Sequence, residues 1–195
     1  MFFSDKQLLN LPFCLTLVLG ILRVDASYSA IFKFHNDSYV SFTYEVALVP
    51  FNGEFKIKNS SFDLDSDKPE NSHIFLSIDL NNSSAGFLLA TKGMLGKSVL
   101  YAEKYPEIIF QSSSIIYKDE QFEVLGELMI RGVTKLVKLF VKPIGFEPSM
   151  VDIETSPQFH ISTVIERNIF GADGYSGFVG NNIRLDTKVK LIRNF

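Results

Sequence analysis

Residues 126–143, GELMIRGVTKLVKLFVKP, constrain the fold more than any other stretch, because two apolar-rich segments meet there at Arg131-Gly132. Side chains alternate between the two faces of a strand, and a two-residue turn places the flanking residues opposite each other. The pattern therefore predicts an antiparallel hairpin with one largely apolar face. On that face the predicted pairs are Ile130 with Val133, Leu128 with Lys135, Gly126 with Val137 and Val124 with Leu139.

The second face of the predicted hairpin is mixed. A sheet in water needs only one apolar face, so this face is predicted to be partly covered by flanking segments or by a second copy of the chain. A type I′ turn favours Asn or Asp at the position of Arg131, and a loop one residue longer would exchange the two faces. The residues of the mixed face are Leu125, Glu127, Met129, Thr134, Leu136, Lys138 and Phe140.

Alternation with a period of two residues continues through most of the chain after residue 30. It is clear in YVSFTYEV (39–46), HIFLSIDL (73–80) and NNIRLDTKVKL (181–191), and it predicts strands. In residues 53–65 it predicts an extended segment with a bend at Asn59–Ser61. Many short strands in 195 residues predict one all-β domain, either a sandwich or a barrel.

Two stretches break the alternation. Residues 85–106 carry Leu88, Leu89 and Leu95 at helical spacing, and they predict a short helix or helical turns before Pro106. Residues 171–181, GADGYSGFVGN, are rich in glycine and predict a loop over a barrel mouth.

The first residues differ from the rest of the chain. An apolar run from Leu11 to Leu22 follows a short polar start, and Val24 and Ala26 are small residues where a signal peptidase cleaves. We therefore predict a signal peptide over residues 1–26 and a mature domain over residues 27–195, with a retained membrane anchor as the alternative. Cys14 is the one cysteine of the sequence, so cleavage would leave a chain without disulfides.

Composition and spacing favour a binding protein over an enzyme. The formal net charge of −3 gives no reason to expect nucleic acid as a partner. The three histidines are far apart, no catalytic or metal-binding motif is present, and the acidic residues of FDLDSDKPE lack the spacing of a calcium loop. Nineteen phenylalanines and no tryptophan are typical of an aromatic-lined interior or simply of a Phe-rich core. We predict no catalytic residues, no metal site and no obligate cofactor.

Three motifs in order give the chain a family resemblance: KYPEIIFQSSSI, then GELMIRGVTKLVKLFV, then IERNIFG. Together they resemble the YceI-like family, whose members are exported, lipocalin-like proteins that bind polyisoprenoid lipids. The matching positions are Tyr105, Pro106, Phe110, Ser112, Gly126, Leu128, Gly132, Val133, Thr134, Lys135, Val137, Leu139, Arg167, Phe170 and Gly171, with Gly53, Phe55, Phe62 and Asp63 upstream.

The resemblance implies an extended eight-stranded antiparallel barrel that holds an isoprenoid lipid or quinone in the periplasm, with a membrane-protein donor or acceptor and a homodimer as possible partners. Arg167 is the first candidate for a polar contact at the mouth and Lys135 the second, with a structural ion pair as the alternative for Arg167. A fatty-acid carrier and a ligand-free interaction module with a filled barrel remain open. The expected lipid contacts are Val40, Phe42, Tyr44, Phe55, Ile57, Phe110, Val124, Gly126, Leu128, Ile130, Val137, Leu139, Arg167 and Phe170.

Overall fold

In a computed structural model of the chain, which describes residues 29–35, 38–65, 68–145 and 156–194, nine antiparallel strands form one closed sheet. The helix α1 connects β4 to β5, and the predicted signal peptide lies outside the described residues. The strands are β1 (Ser29–Phe34), β2 (Tyr39–Val46), β3 (Val49–Asp65), β4 (His73–Ser84), β5 (Glu107–Lys118), β6 (Gln121–Ile130), β7 (Val133–Pro143), β8 (Gln158–Glu166) and β9 (Asn182–Arg193), and α1 is Leu88–Leu95.

The nine strands occupy eight positions around a barrel. Each strand from β2 to β9 pairs with the next along the chain, and β9 pairs back to β2. Strand β1 pairs with the last residues of both β3 and β9, so β1 and β2 are two halves of one interrupted wall strand. The predicted eight-stranded antiparallel barrel is therefore confirmed.

The β6–β7 hairpin has the register that the sequence predicts. Ile130 lies opposite Val133, and Gly126 lies opposite Val137. Arg131 and Gly132 have φ values of 53° and 74°, as a type I′ turn requires. The alternative of a longer loop with exchanged faces is wrong.

Strand β3 runs through the predicted bend without stopping. Its pairing with β4 shifts by one residue between Ile57 and Asn59, which is a β-bulge. The bulge keeps both Ile57 and Phe62 on the inner side, because one extra residue resets the alternation. The sequence located the irregularity within two residues but did not show that the strand continues.

One end of the barrel is closed by a cap, which we define as residues 85–106 and 167–181. Helix α1 confirms the predicted short helix, and Thr91 anchors its first turn by donating its hydroxyl to the carbonyl of Phe87 at 3.0 Å. The amide of Gly174 donates to the carbonyl of Ser98 at 2.8 Å, which joins the two cap segments. The Arg131 guanidinium donates to the carbonyls of Lys97 and Val99, so the hairpin turn also holds the cap.

Candidate functional site

The barrel interior is largely apolar and contains two groups of buried side chains. The larger group extends from the cap along β2 to β8, and its best-stacked pair is Phe42 on Phe55, with ring centroids 4.2 Å apart. The smaller group lies at the end opposite the cap, where the ring of Phe34 meets Phe62 edge-on at 4.7 Å. The smaller group consists of Phe32, Phe34, Phe62, Phe159, Val189 and Leu191.

The structure brings the predicted apolar site residues together inside the barrel. Their assembly follows from the alternation of each strand, which points every second side chain inward. Whether they contact a lipid stays a prediction. Nine are buried in the larger group, namely Val40, Phe42, Tyr44, Phe55, Phe110, Val124, Leu128, Val137 and Phe170, and three pack against it while partly buried, namely Ile57, Ile130 and Leu139.

Five side chains between the two groups keep accessible surface although they belong to the interior. Ile57, Ile74, Leu76, Phe122 and Val141 are partly buried and pack against both groups. Strand pairing sets Leu76 opposite buried Phe110 and Ile74 opposite buried Phe62, so these side chains face inward. Ile74, Phe122 and Val141 lie close to the strand ends opposite the cap. The other side chains of the protein therefore leave part of this apolar inward surface uncovered.

Four of these five residues are absent from the predicted site. The alternation of HIFLSIDL already indicates that Ile74 and Leu76 share a face, and the hairpin register assigns Val141 to the face of Leu139. Sequence could therefore show that they point inward. It could not show which inward residues are covered by other side chains of the protein, because coverage depends on contacts across the barrel.

Two interior glycines each lie beneath an aromatic ring. A Cβ added at Gly53 would lie 2.2 Å from the ring of Phe42, and one added at Gly126 would lie 2.5 Å from the ring of Phe110. Both distances are far below van der Waals contact, and real Cβ atoms do not adopt them. The two glycines therefore let two core rings lie flat against the wall.

Gly126 is one of the expected lipid contacts, and its packing argues against that role. Gly126 is buried on the inward face, as expected, but the space above it holds the Phe110 ring. A Cβ there would also lie 2.6 Å from the carbonyl oxygen of Gln111. Gly126 therefore shapes the wall for a protein side chain and does not leave room for a lipid tail.

Arg167 has a structural role that differs from both of its predicted roles. The side chain is 7% exposed and donates from Nε to the carbonyl of Gly180 at 2.8 Å, from Nη2 to that of Val179 at 2.8 Å, and from Nη1 to that of Gly174 at 2.8 Å. Nη1 also donates to the carbonyl of Ala172. Burial lowers the pKa of the Arg167 guanidinium, and the nearby Asp173 partly offsets this effect. Four of its five N–H groups thus bind carbonyls of the cap loop. The expected role of Arg167 was a contact with a lipid head group or an ion pair with a carboxylate.

The other predicted polar contact, Lys135, is exposed beside the hairpin turn, opposite Leu128. The outer hairpin face is also exposed, with Leu136 at 64% and Leu125 at 37%. Within the described residues, no flanking segment buries this face. The prediction that flanking segments cover this face is therefore wrong. The alternative prediction, that a second copy of the chain covers it, stays untested.

Tyr44 joins the interior to the cap. Its side chain is buried, and its hydroxyl donates to the carbonyl of Ala85 at 2.7 Å. Burial raises the pKa of Tyr44, so the phenol stays protonated and keeps this donor. The Tyr44 hydroxyl is a polar group within the larger group of buried residues, and the cap itself satisfies it.

Metal centres, membrane-spanning helices and surface grooves are the other kinds of site to consider in the described part of the chain. In that part there is no cluster of three or more His, Cys, Asp or Glu side chains that could hold a metal, and no helix has the length and hydropathy needed to cross a membrane. A groove of about 760 Å³ lies on the outer side, at the interruption between β1 and β2. Charged and hydroxyl groups line it, including Glu54, Asp186, Lys188 and Lys190, so it does not suit an apolar tail.

A closed eight-stranded antiparallel barrel with an apolar interior is typical of the lipocalin-like class of β-barrels. The chain belongs to the YceI-like family, because the model of the YceI-like domain matches residues 28–191. UPF0312 proteins of Yersinia pestis and Photorhabdus laumondii are 30% identical to the chain over 93 residues, which is 48% of this chain and 48% of each relative. The chain thus matches about half the length of these curated relatives.

Solved structures share the fold. The crystal structure of Burkholderia cenocepacia BcnA matches with a TM-score of 0.67 at 22% identity and covers 78% of this chain and 94% of that one. The Campylobacter jejuni YCEI protein matches with a TM-score of 0.62 at 20% identity, covering 73% and 84%. A polyisoprenoid binding domain from Saccharophagus degradans matches with a TM-score of 0.58 at 12% identity, covering 86% and 100%.

Proposed function

We propose that this chain is an exported carrier that holds a long-chain isoprenoid lipid, of the polyprenyl or quinone type, inside its barrel. The observation that carries the proposal is the set of inward-facing apolar side chains between the two buried groups, including Ile74, Leu76 and Phe122, which keep accessible surface. The structural likeness to a polyisoprenoid binding domain supports the choice of ligand. The proposed compartment is the periplasm.

The energetics favour a tail of this kind. Each methylene that leaves water for an apolar interior contributes about 0.8 kcal/mol, so a long prenyl chain can bind tightly without charged partners. Selectivity then comes from the length and shape of the space between the two groups. Because the Arg167 donors are engaged by the cap loop, the proposal assigns that residue no contact with the lipid.

The proposal is tested by a substitution that fills part of the proposed lipid space. Leu76→Phe adds a ring at an inward position that is partly accessible, and we expect it to reduce bound lipid several-fold while the chain stays folded. The measurement is mass spectrometry of organic extracts, expressed as lipid per protein, together with the melting temperature. Phe75→Leu is the matched control, because Phe75 is the next residue of the same strand and is 38% exposed on the outer side.

Competitive lipid binding distinguishes the isoprenoid carrier from a fatty-acid carrier and from a filled interaction module. Lipid-free protein is offered a long polyprenol, a ubiquinone and palmitate in competition. Preference for the prenyl ligands supports the proposal, whereas preference for palmitate indicates a fatty-acid carrier. If none of the ligands binds and Leu76→Phe raises the melting temperature, the barrel is an interaction module filled by its own side chains.

A further inference from the structure

We propose that the capped end of the barrel is a membrane-docking surface, with an apolar tip that inserts into the interface of an anionic phospholipid bilayer. The tip consists of large apolar side chains from three segments, the β2–β3 turn, helix α1 and the cap loop. They are Leu48 at 88% exposed, Leu89 at 76%, Phe178 at 72%, Leu88 at 68%, Tyr175 at 57% and Phe87 at 47%.

The cap loop contacts both of the other segments. The amide of Ala47 donates to the carbonyl of Phe178 at 2.8 Å, which joins the β2–β3 turn to the cap loop. A Cβ built at Gly93 lies 3.6 Å from the Tyr175 ring, so helix α1 contacts the same loop. Helix α1 contains no buried residue, although its sequence is LLATKGML. Large exposed apolar side chains gathered at one end of a barrel are typical of an interaction surface.

The β2–β3 turn is strained in a way that exposes Leu48. Val46 pairs with Val49, and the two turn residues Ala47 and Leu48 have φ values of 49° and 67°. This left-handed conformation suits Gly or Asn and is unfavourable for a branched, bulky side chain. The chain therefore carries a residue that destabilises its own turn and buries nothing there. Membrane insertion accounts for Leu48, because its side chain leaves water only when the protein docks.

The opposite end of the barrel provides an internal comparison. The β5–β6 turn has the same left-handed geometry, with φ values of 52° at Asp119 and 61° at Glu120, but its residues are acidic. Two turns of one conformation thus carry a leucine at the capped end and carboxylates at the other. Anionic head groups would repel the acidic turn, whereas the leucine turn carries no like charge.

Charge favours a bilayer as the occupant. In the four connections at the capped end, residues 47–48, 85–106, 131–132 and 167–181, basic residues outnumber acidic ones by five to two, although the chain as a whole has a net charge of −3. Arg167 is buried against carbonyls and Arg131 donates to two others, so the exposed charges are three lysines and two carboxylates. Exposed lysines beside an apolar tip are typical of surfaces that bind anionic lipids. The basic residues are Lys92, Lys97, Lys104, Arg131 and Arg167, and the acidic ones are Glu103 and Asp173.

The experiment uses single tryptophans as reporters, because the chain contains none. Phe178→Trp places the reporter in the tip, and Leu136→Trp places it at the outer barrel wall, where the native side chain is 64% exposed. Full-length protein is mixed with vesicles of phosphatidylglycerol and phosphatidylethanolamine that contain brominated lipid. We expect a blue shift and strong quenching for Phe178→Trp and neither for Leu136→Trp. This contrast compares two sites of one chain, so it does not depend on whether the N-terminal apolar run stays attached.

One variant and one change of vesicle lipid sharpen the test. Leu48→Asn in the Phe178→Trp background should raise the melting temperature, because Asn tolerates the left-handed turn, while it weakens vesicle binding about tenfold through the lost apolar side chain. Neutral phosphatidylcholine vesicles should bind roughly tenfold more weakly than anionic ones. Equal quenching at the two reporter sites, or unchanged binding by Leu48→Asn, overturns the proposal.

A concentration-dependent dimer that Leu48→Asn dissociates also overturns the proposal, since it makes the tip an interface between copies. Sedimentation equilibrium without vesicles detects that outcome. The docking proposal and the proposed function are tested by different measurements. If the protein carries isoprenoid but the Phe178→Trp emission does not change on vesicles, the docking proposal is wrong and the proposed function still holds.

Discussion

The β6–β7 hairpin and the cap loop at residues 167–181 reverse the chain at the same end of the barrel, yet different forces hold them. In the hairpin, pairing continues from Phe122 opposite Val141 to Ile130 opposite Val133, and apolar side chains alternate along both strands. In the cap loop, four carbonyls converge on the single guanidinium of Arg167. A regular element spreads its stability over many residues, whereas an irregular one concentrates it on a few.

The largest effect in this comparison is expected from Arg167→Met, which removes every donor but keeps a long apolar stem. The carbonyls of Ala172, Gly174, Val179 and Gly180 would lose their partner in a partly buried site. Since hydrogen bonds to charged groups contribute roughly 1.5–3 kcal/mol each and part of the loop can rehydrate, we expect a loss of about 4 kcal/mol in the free energy of unfolding. Urea denaturation measures it.

Arg167→Lys and ligand loading provide the controls. Lysine keeps the positive charge but cannot reach several carbonyls in a planar fork, so it should recover less than half of the loss. Below the melting transition, Arg167→Met should lower the capture of polyprenyl diphosphate and of polyprenol by the same factor. A selective loss of the diphosphate would restore the original prediction of a head-group contact.

A smaller loss is expected inside the hairpin from Gly126→Ala. Its Cβ would approach both the Phe110 ring and the carbonyl of Gln111, so the wall or the ring must move. Overpacking of this kind costs about 1–3 kcal/mol, and the larger Gly126→Leu should lie at the upper end of that range. Thermal and urea unfolding measure the change, and the matched control is Leu125→Ala, the outward neighbour, with an expected change under about 1 kcal/mol.

A double-mutant cycle identifies the ring as the cause. In a Phe110→Leu background the added methyl group at Gly126 meets less of the side chain, so Gly126→Ala should cost less there by about 1 kcal/mol. Additive costs would mean that the backbone contact with Gln111 dominates. Bound lipid per protein should change little in Gly126→Ala, because Phe110 already fills the space above the glycine.

The same contrast explains what could be predicted from the sequence. The barrel, the hairpin register and the inward apolar residues follow from alternation and turn length, which are local properties. The engagement of Arg167 with carbonyls up to 13 positions away and the Phe110 ring over Gly126 are long-range contacts, and no periodic pattern encodes them. The spacing of Gly53 opposite Phe42 offered a partial signal, since aromatic residues beside strand glycines commonly cover them.

The interruption of the first strand was missed for a related reason. Strand β1 satisfies its hydrogen bonds with the ends of β3 and β9, which are distant in sequence. Its residues, Ser29–Phe34, directly follow the segment that resembles a signal peptide, so their alternation is short and easily assigned to a leader.

The smallest expected effect concerns the charge on the outer face of the hairpin. Lys138 donates from Nζ to Glu123 at 2.7 Å, and this hydrogen bond and charge hold the pKa of Glu123 below its usual range. A carboxylate whose pKa is lowered by folding stabilises the fold at pH values above its unfolded-state pKa, and this contribution is lost as the pH falls through the lowered value. Glu123→Gln should therefore be slightly less stable than the unaltered chain at neutral pH, and the difference should vanish in acid and shrink in high salt. Urea midpoints across the pH range provide the measurement.

The Arg167 guanidinium stays protonated throughout, so the stability difference between Arg167→Met and the unaltered chain should not follow this titration. A loss from Arg167→Met that tracked the titration of Glu123 would mean that the hairpin and the cap loop share an electrostatic network, and the contrast between a distributed and a concentrated element would then be wrong.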